Sequence, residues 1–163
     1  MEIPSRAGSS WRRRDLLRLF AAAPAVVALS TACTAEPKQP DALLALATAA
    51  KEDAALAKAV AAAHSDLADA AGEIAEVRAA HARALQREID RVNPPDPDAG
   101  PSVPEARPRQ APGSSGAAAE ALRGALRQAQ DRAAGLAPGQ SGYRAGLVGS
   151  VSASCASLLE VLG

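Results

Sequence analysis

NPPDPDAGPSVPEARPRQAPGSS, residues 93–115, decides how the rest of this chain can fold. It holds seven prolines within twenty residues. Each proline fixes φ and removes a backbone donor, which excludes both a helix and a central strand. An extended segment of this kind advances about 3.1 Å per residue, for roughly 60 Å of reach over twenty residues. The helical patterns on either side are only about 30 to 35 Å long at 1.5 Å per residue. The segment is therefore a linker able to cross a whole bundle and start a second pair of helices from the far end. A free loop remains open to it as well.

Upstream, DALLALATAAKEDAALAKAVAAAH follows Asp41, a candidate N-cap, and repeats small or apolar residues at 43, 46, 47, 50, 54, 57, 60 and 61. This is helical period, with Lys51, Glu52 and Lys58 left for solvent. SDLADAAGE then offers Ser65 and Asp66 as caps and Gly72 as a break, so the chain is expected to turn here. A second helix runs to about Val92, with Ile74, Val77, His81, Leu85, Ile89 and Val92 as its apolar stripe. Joined so closely, the two helices form an antiparallel hairpin.

Downstream, the pattern predicts a third helix over about 117–134, with Leu122, Ala125, Leu126, Ala129 and Ala133 on one face. Leu136, Pro138 and Gly139 end it. A fourth spans about 141–162, with Leu147, Val151, Cys155, Leu158 and Leu162 in a stripe and a row of small residues, Gly142, Gly146, Ser150 and Ser154, beside it. In a membrane that row would suggest helix dimerisation. Arg144 and Glu160 bracket too short a run for a span, so close packing inside a soluble bundle is expected. The fold class is all-α: a four-helix bundle over residues 41–163, of two helical hairpins joined by a long Pro-rich crossover over 93–115. A single long connection is what ferritin-like bundles use.

The first 33 residues read differently. Arginines lead into the eleven-residue apolar run LFAAAPAVVAL, which ends on small residues and Cys33, the layout of an export signal. The run is too short to span a bilayer as a helix, and Pro24 interrupts it. Arg13, Arg14, Asp15, Leu16, Leu17 and Arg18 resemble a twin-arginine export signal. Leu29, Ser30, Thr31 and Ala32 before Cys33 resemble a lipoprotein signal, except that Ser30 stands three before the cysteine where such signals usually carry Leu. The resemblance implies an export signal peptide over 1–32, lipidation at Cys33 and a tether over 33–40. The expected location is the outer face of the cytoplasmic membrane, or secretion if Cys33 carries no lipid.

Beyond residue 32 the chain has 13 bases against 16 acids, a net charge near −3, which gives no reason to expect a nucleic-acid partner. Tyr143 is the one aromatic there, and Leu, Ile and Val together number 22 of 131 residues. Alanine supplies most of the remaining apolar content. It has the highest helix propensity and loses no side-chain entropy on ordering, which predicts close-packed helices around a thin core. With so few aromatics, little is available to line a pocket for a small apolar ligand, so a solute-binding role is disfavoured.

The Ala-rich hairpin ending in EVRAAHARALQREI, the Pro-rich connection and the closing GLVGSVSASCASLLEVL resemble the ferritin-like domain of unknown function found in exported actinobacterial proteins. The resemblance spans roughly Asp41 to Leu162. Metal-binding ferritin-like proteins hold two metals through a Glu from each of two helices and a Glu-x-x-His pair from each of the others. Here Arg78 and Ala61 stand three residues before His81 and His64, and the last two helices contain no histidine. No cofactor and no catalytic residue is expected. With a turn near Leu67, Asp53 falls opposite His81. Their simplest role is a satisfied core pair; the alternative is a metal or proton site using Asp53, His81 and Glu88. Cys155, with no base nearby in sequence, is expected to be a small buried residue. These features together suggest an exported, lipid-anchored bundle in a non-enzymatic interaction or structural role, its protein partner open. The alternative is a metal-binding ferritin-like protein exported folded.

Overall fold

The computed structural model describes residues 40–96 and 98–163. The signal and the tether up to residue 39, with Arg13, Arg14, Leu16, Leu17 and Cys33, lie outside the described residues. The described chain is all-α, with four long helices: α1 Leu44–Ala63, α2 Ala68–Val92, α3 Ser115–Leu136 and α4 Gly142–Val161.

Asp41 starts the first helix. Its backbone carbonyl accepts from Leu44 N at 2.9 Å and its Oδ1 from Leu43 N at 2.8 Å, so it satisfies two donors that a helix start leaves unpaired. The turn that follows falls at His64, with a 3₁₀ turn over Ser65–Leu67. Gly72 does not break the chain; it lies inside α2. A glycine in a helix costs only about 1 kcal/mol relative to alanine, which tertiary packing offsets. Ser114 caps α3, its Oγ accepting from Ala117 N at 3.3 Å. A second 3₁₀ turn, Ala137–Gly139, carries the chain into α4, which opens on Gly142 at φ +54°. That left-handed value suits glycine, which has no Cβ to clash.

The linker takes the crossover route. At its start Asn93 Nδ2 donates to Asp41 Oδ2 at 3.1 Å, beside the beginning of α1. Ser102 then bonds Asp90, and Lys51 Nζ donates to Val103 O at 3.0 Å and pairs with Glu105 at 2.8 Å. At its end His64 Nε2 donates to Pro112 O at 2.7 Å, and Ser115 Oγ donates to Asp66 at 3.0 Å, both beside the α1–α2 turn. The connection therefore traverses the length of the first hairpin, and α2 and α3 run in the same direction. Val103 anchors it midway, fully buried among core residues.

The core gathers Leu46, Ala47, Ala50, Ala57 and Val60 of α1, Ile74 and Leu85 of α2, Leu122 and Leu126 of α3, and Val148, Val151 and Leu158 of α4. Buried alanines (Ala47, Ala50, Ala57, Ala71, Ala118, Ala129, Ala133) let the helices approach closely, and the larger residues fill the space between. On α2 the buried face differs from the expected stripe. It comprises Ala71, Ile74, Ala75, Arg78, Ala82, Leu85, Glu88 and Ile89, while Val77 and His81 are half-buried and Val92 is exposed. On α4, Gly142, Gly146 and Ser150 of the small-residue row face solvent, not the bundle interior, because Val148, Val151 and Cys155 point inward instead. Among the described residues no helix is long and apolar enough to cross a membrane.

Candidate functional site

Arg78 is fully buried and the largest such side chain among the described residues. It enters the core from α2, where i−4, i−3, i+4 and i+7 are Ile74, Ala75, Ala82 and Leu85, so it occupies an apolar position of the helix. A guanidinium is charged at any physiological pH, and its interior position requires partners. They come from three helices. Its Nε and Nη2 both donate to Asp53 Oδ2 of α1, at 3.2 and 2.9 Å. Its Nη1 donates to His81 Nδ1 of its own helix at 3.0 Å and to Cys155 Sγ of α4 at 3.4 Å.

Asp53 and His81 are thus brought to one place, as their spacing predicts, yet they do not form a pair with each other. Arg78 stands between them. Glu88, the third candidate, does not join them: it lies seven residues beyond His81, about 10 Å along the helix. Its carboxylate is held by Arg91 instead, through two bonds of 2.8 Å. Those bonds, with the Arg91 charge, outweigh desolvation and hold it below the usual carboxylate range. A separate network closes that end of the bundle. Asp41, largely buried, receives Arg144 as well as Asn93. Burial would raise its carboxyl, but the Arg144 bond and charge, Leu43 N–H and the Asn93 amide together lower it.

The central cluster has distinct electrostatics. Burial pushes the Asp53 carboxyl above the usual range, although Arg78 and Arg132 of α3 pull the other way. Burial likewise raises the Cys155 thiol, which therefore stays protonated. Burial and the adjacent guanidinium lower His81 to about 4. Because Arg78 only donates, His81 Nδ1 must accept, which fixes the neutral ring with its proton on Nε2.

This geometry predicts an acid response. Between pH 6.5 and about 4 the unfolded chain binds a proton on His81 that the folded chain refuses, so folding stability falls as pH falls through that window. Asp53, whose carboxyl is raised by burial, acts in the opposite sense as pH falls through its titration toward the ordinary carboxylate range, and limits the loss. Thermal melts from pH 7 to 4.5 are expected to show a declining midpoint, and His81→Gln should flatten the decline. An unchanged slope in that variant would place the acid response elsewhere.

The donors do not suit a resident metal. Asp53, His81 and Cys155 all turn to the guanidinium, and a divalent ion among them would sit against its positive charge. Among the described residues no three His, Cys, Asp or Glu side chains converge to hold a metal ion. Elsewhere, a shallow groove between α1 and α2 is floored by Ala54, Ala55, Ala79 and Ala82, with Lys58 and Arg83 at its rim. It offers none of the convergent buried polar groups that orient a ligand.

Arg78 is the residue that sequence reasoning missed. It entered only as the side chain standing where a metal-binding Glu would be. Its position on the face of Ile74, Ala82 and Leu85 was the available signal. Fold and centre together define an all-α protein of two packed hairpins with a charged core. Comparison with protein-family models, curated proteins and solved structures finds no match to this chain.

Proposed function

We propose that this is an exported helical bundle, held at the outer face of the cytoplasmic membrane by lipid on Cys33, with a non-enzymatic interaction or structural role. Its bundle is related, in this reading, to the ferritin-like domain of unknown function in exported actinobacterial proteins. The observation that carries the non-enzymatic part is the filled centre. Arg78 occupies the position where ferritin-like metal chemistry would need an open set of carboxylates, and its bonds to Asp53, His81 and Cys155 tie the two hairpins together. The crossover connection supports the kinship, since ferritin-like bundles have one such long connection. The arginine pair, the short apolar run and the small residues before Cys33 support export and anchoring. Two or more acyl chains on one residue would anchor stably, at about 0.8 kcal/mol per buried CH₂.

Mass spectrometry of the native protein taken from membranes tests this reading. The expected species begins at Cys33, carries acyl chains and retains no stoichiometric metal. Cys33→Ser should release the protein from the membrane fraction. A Cys33→Ser protein that stayed with membranes would overturn the anchor, and retained stoichiometric metal would favour a metal-binding protein exported folded.

A further inference from the structure

The outer face of α4 carries an arrangement that packing within one chain does not use. Tyr143, Gly146, Ser150, Ala153, Ser157 and Glu160 recur at alternating spacings of three and four, and all six are exposed. From Ala145 to Leu159 the helix has no charged residue, although a surface helix ordinarily puts charges on the face away from the core. Its inner side, Val148, Val151, Cys155 and Leu158, is already buried, and Ser152 Oγ donates to Gln130 O of α3 at 3.2 Å. A Cβ placed on Gly146 or Gly149 would meet nothing within 4 Å, so the bundle interior does not require these glycines. Glycine is nevertheless the poorest helix former after proline. The Ser150 hydroxyl donates to Leu147 O at 2.7 Å and that of Ser157 to Ala153 O at 3.2 Å, so covering the face would strand neither donor.

We infer that this face binds a second copy of the same chain, α4 against α4, antiparallel about a two-fold axis. The order of its residues is self-complementary. With the axis between Ser150 and Ala153, Gly146 faces Ser157 of the second copy, Ser150 faces Ala153, and Tyr143 meets Glu160 and Val161. Tyr143 and Val161 are exposed large hydrophobic side chains at opposite ends of the helix, and this pairing covers both. Small residues in the middle let the two helix axes approach to about 8 Å. Charge agrees with the same order. Arg87 and Arg91 of α2 border the hollow beside Tyr143, so the Glu160 carboxylate of the second copy arrives beside two guanidinium groups and accepts from the Tyr143 hydroxyl. A parallel pairing would set Glu160 against Glu160. The face runs about 26 Å from Tyr143 to Glu160, a modest surface, so the dimer exchanges with monomer at micromolar concentrations. The inference gives the interaction role proposed above a partner, and its test is independent of export and of lipid on Cys33.

Sedimentation velocity of the full chain between about 5 and 500 µM tests this. Monomer is expected to pass to dimer across that range. Ala153→Glu, which sets a carboxylate at the centre of the seam, is expected to stay monomeric, with circular dichroism and melting temperature unchanged at the lowest concentration. Glu160→Arg or Arg87→Glu alone should weaken the dimer about tenfold, and the two combined in one chain should restore it. A chain monomeric throughout, or a dimer indifferent to Ala153→Glu, would overturn the inference. Combined charge reversals that fail to restore association would overturn the antiparallel register. A chain that stays monomeric yet floats with phosphatidylglycerol vesicles, and loses that binding on Ala153→Glu, would overturn it in favour of a lipid surface.

Discussion

Arg78→Met is expected to destabilise the bundle by about 3–5 kcal/mol, the cost of leaving one partner of a buried ion pair alone. Methionine replaces the apolar stem of the arginine and ends short of the guanidinium, so what is lost is chiefly the charge and its hydrogen bonds. The cost arises because Asp53, whose side chain is only 17% exposed, would lose both N–H bonds from the guanidinium and must be buried unpaired or take up a proton. His81 and Cys155 would each lose a donor as well. A domain of this size is stable by about 5–15 kcal/mol in total, so the variant falls near the edge of folding. The double variant Asp53→Ala with Arg78→Met removes both charges and is expected to cost less than Arg78→Met alone. Urea denaturation of the unaltered protein, Asp53→Ala, Arg78→Met and the double variant measures this. Additive losses would mean that the two side chains do not act as a pair.

Leu85→Ala should be nearly as severe, at about 2–5 kcal/mol. Leu85 is fully buried, on the face of α2 that packs into the core. The cost of such a truncation depends on how well the neighbours can move into the hole. Here many of the core residues are alanines, whose methyl groups have no rotamers with which to refill it. A thin core also divides its stabilisation among few large side chains, so each counts for more. Val92→Ala on the same helix, at a position 44% exposed, is expected to change stability by no more than about 0.5 kcal/mol. Similar urea midpoints for the two variants would show that the α2 face is not packed as described.

The four helices were legible in the chain because their signals are local. Alanine propensity, the Asp41 start, and the Pro and Gly stops near 138 and 139 act over a few residues, and the structure's helices begin and end close to those marks. The faces were less legible. On α2 the expected stripe followed Val77, His81 and Val92, because charged residues are ordinarily solvated. Arg78 and Glu88 violate that rule, and each does so by means of a partner: Asp53, 25 residues away in sequence, for the first, and Arg91 on the solvent side for the second. The small-residue row of α4 was misplaced for a related reason. Periodicity identifies a row but not which neighbouring row meets the other hairpin.

By itself, then, the amino-acid sequence determined the helical content, the hairpin pairing and a linker that is not helical and is long enough to cross, since backbone propensity and chain reach are properties of short segments. Tertiary structure decided which way the linker runs and what fills the centre. The route depends on Val103 finding the core and on Lys51 and His64 donating to linker carbonyls, and the centre depends on side chains from three helices converging on Arg78. Both are arrangements of residues far apart in the chain, and an arginine's burial becomes favourable only once all its partners have arrived.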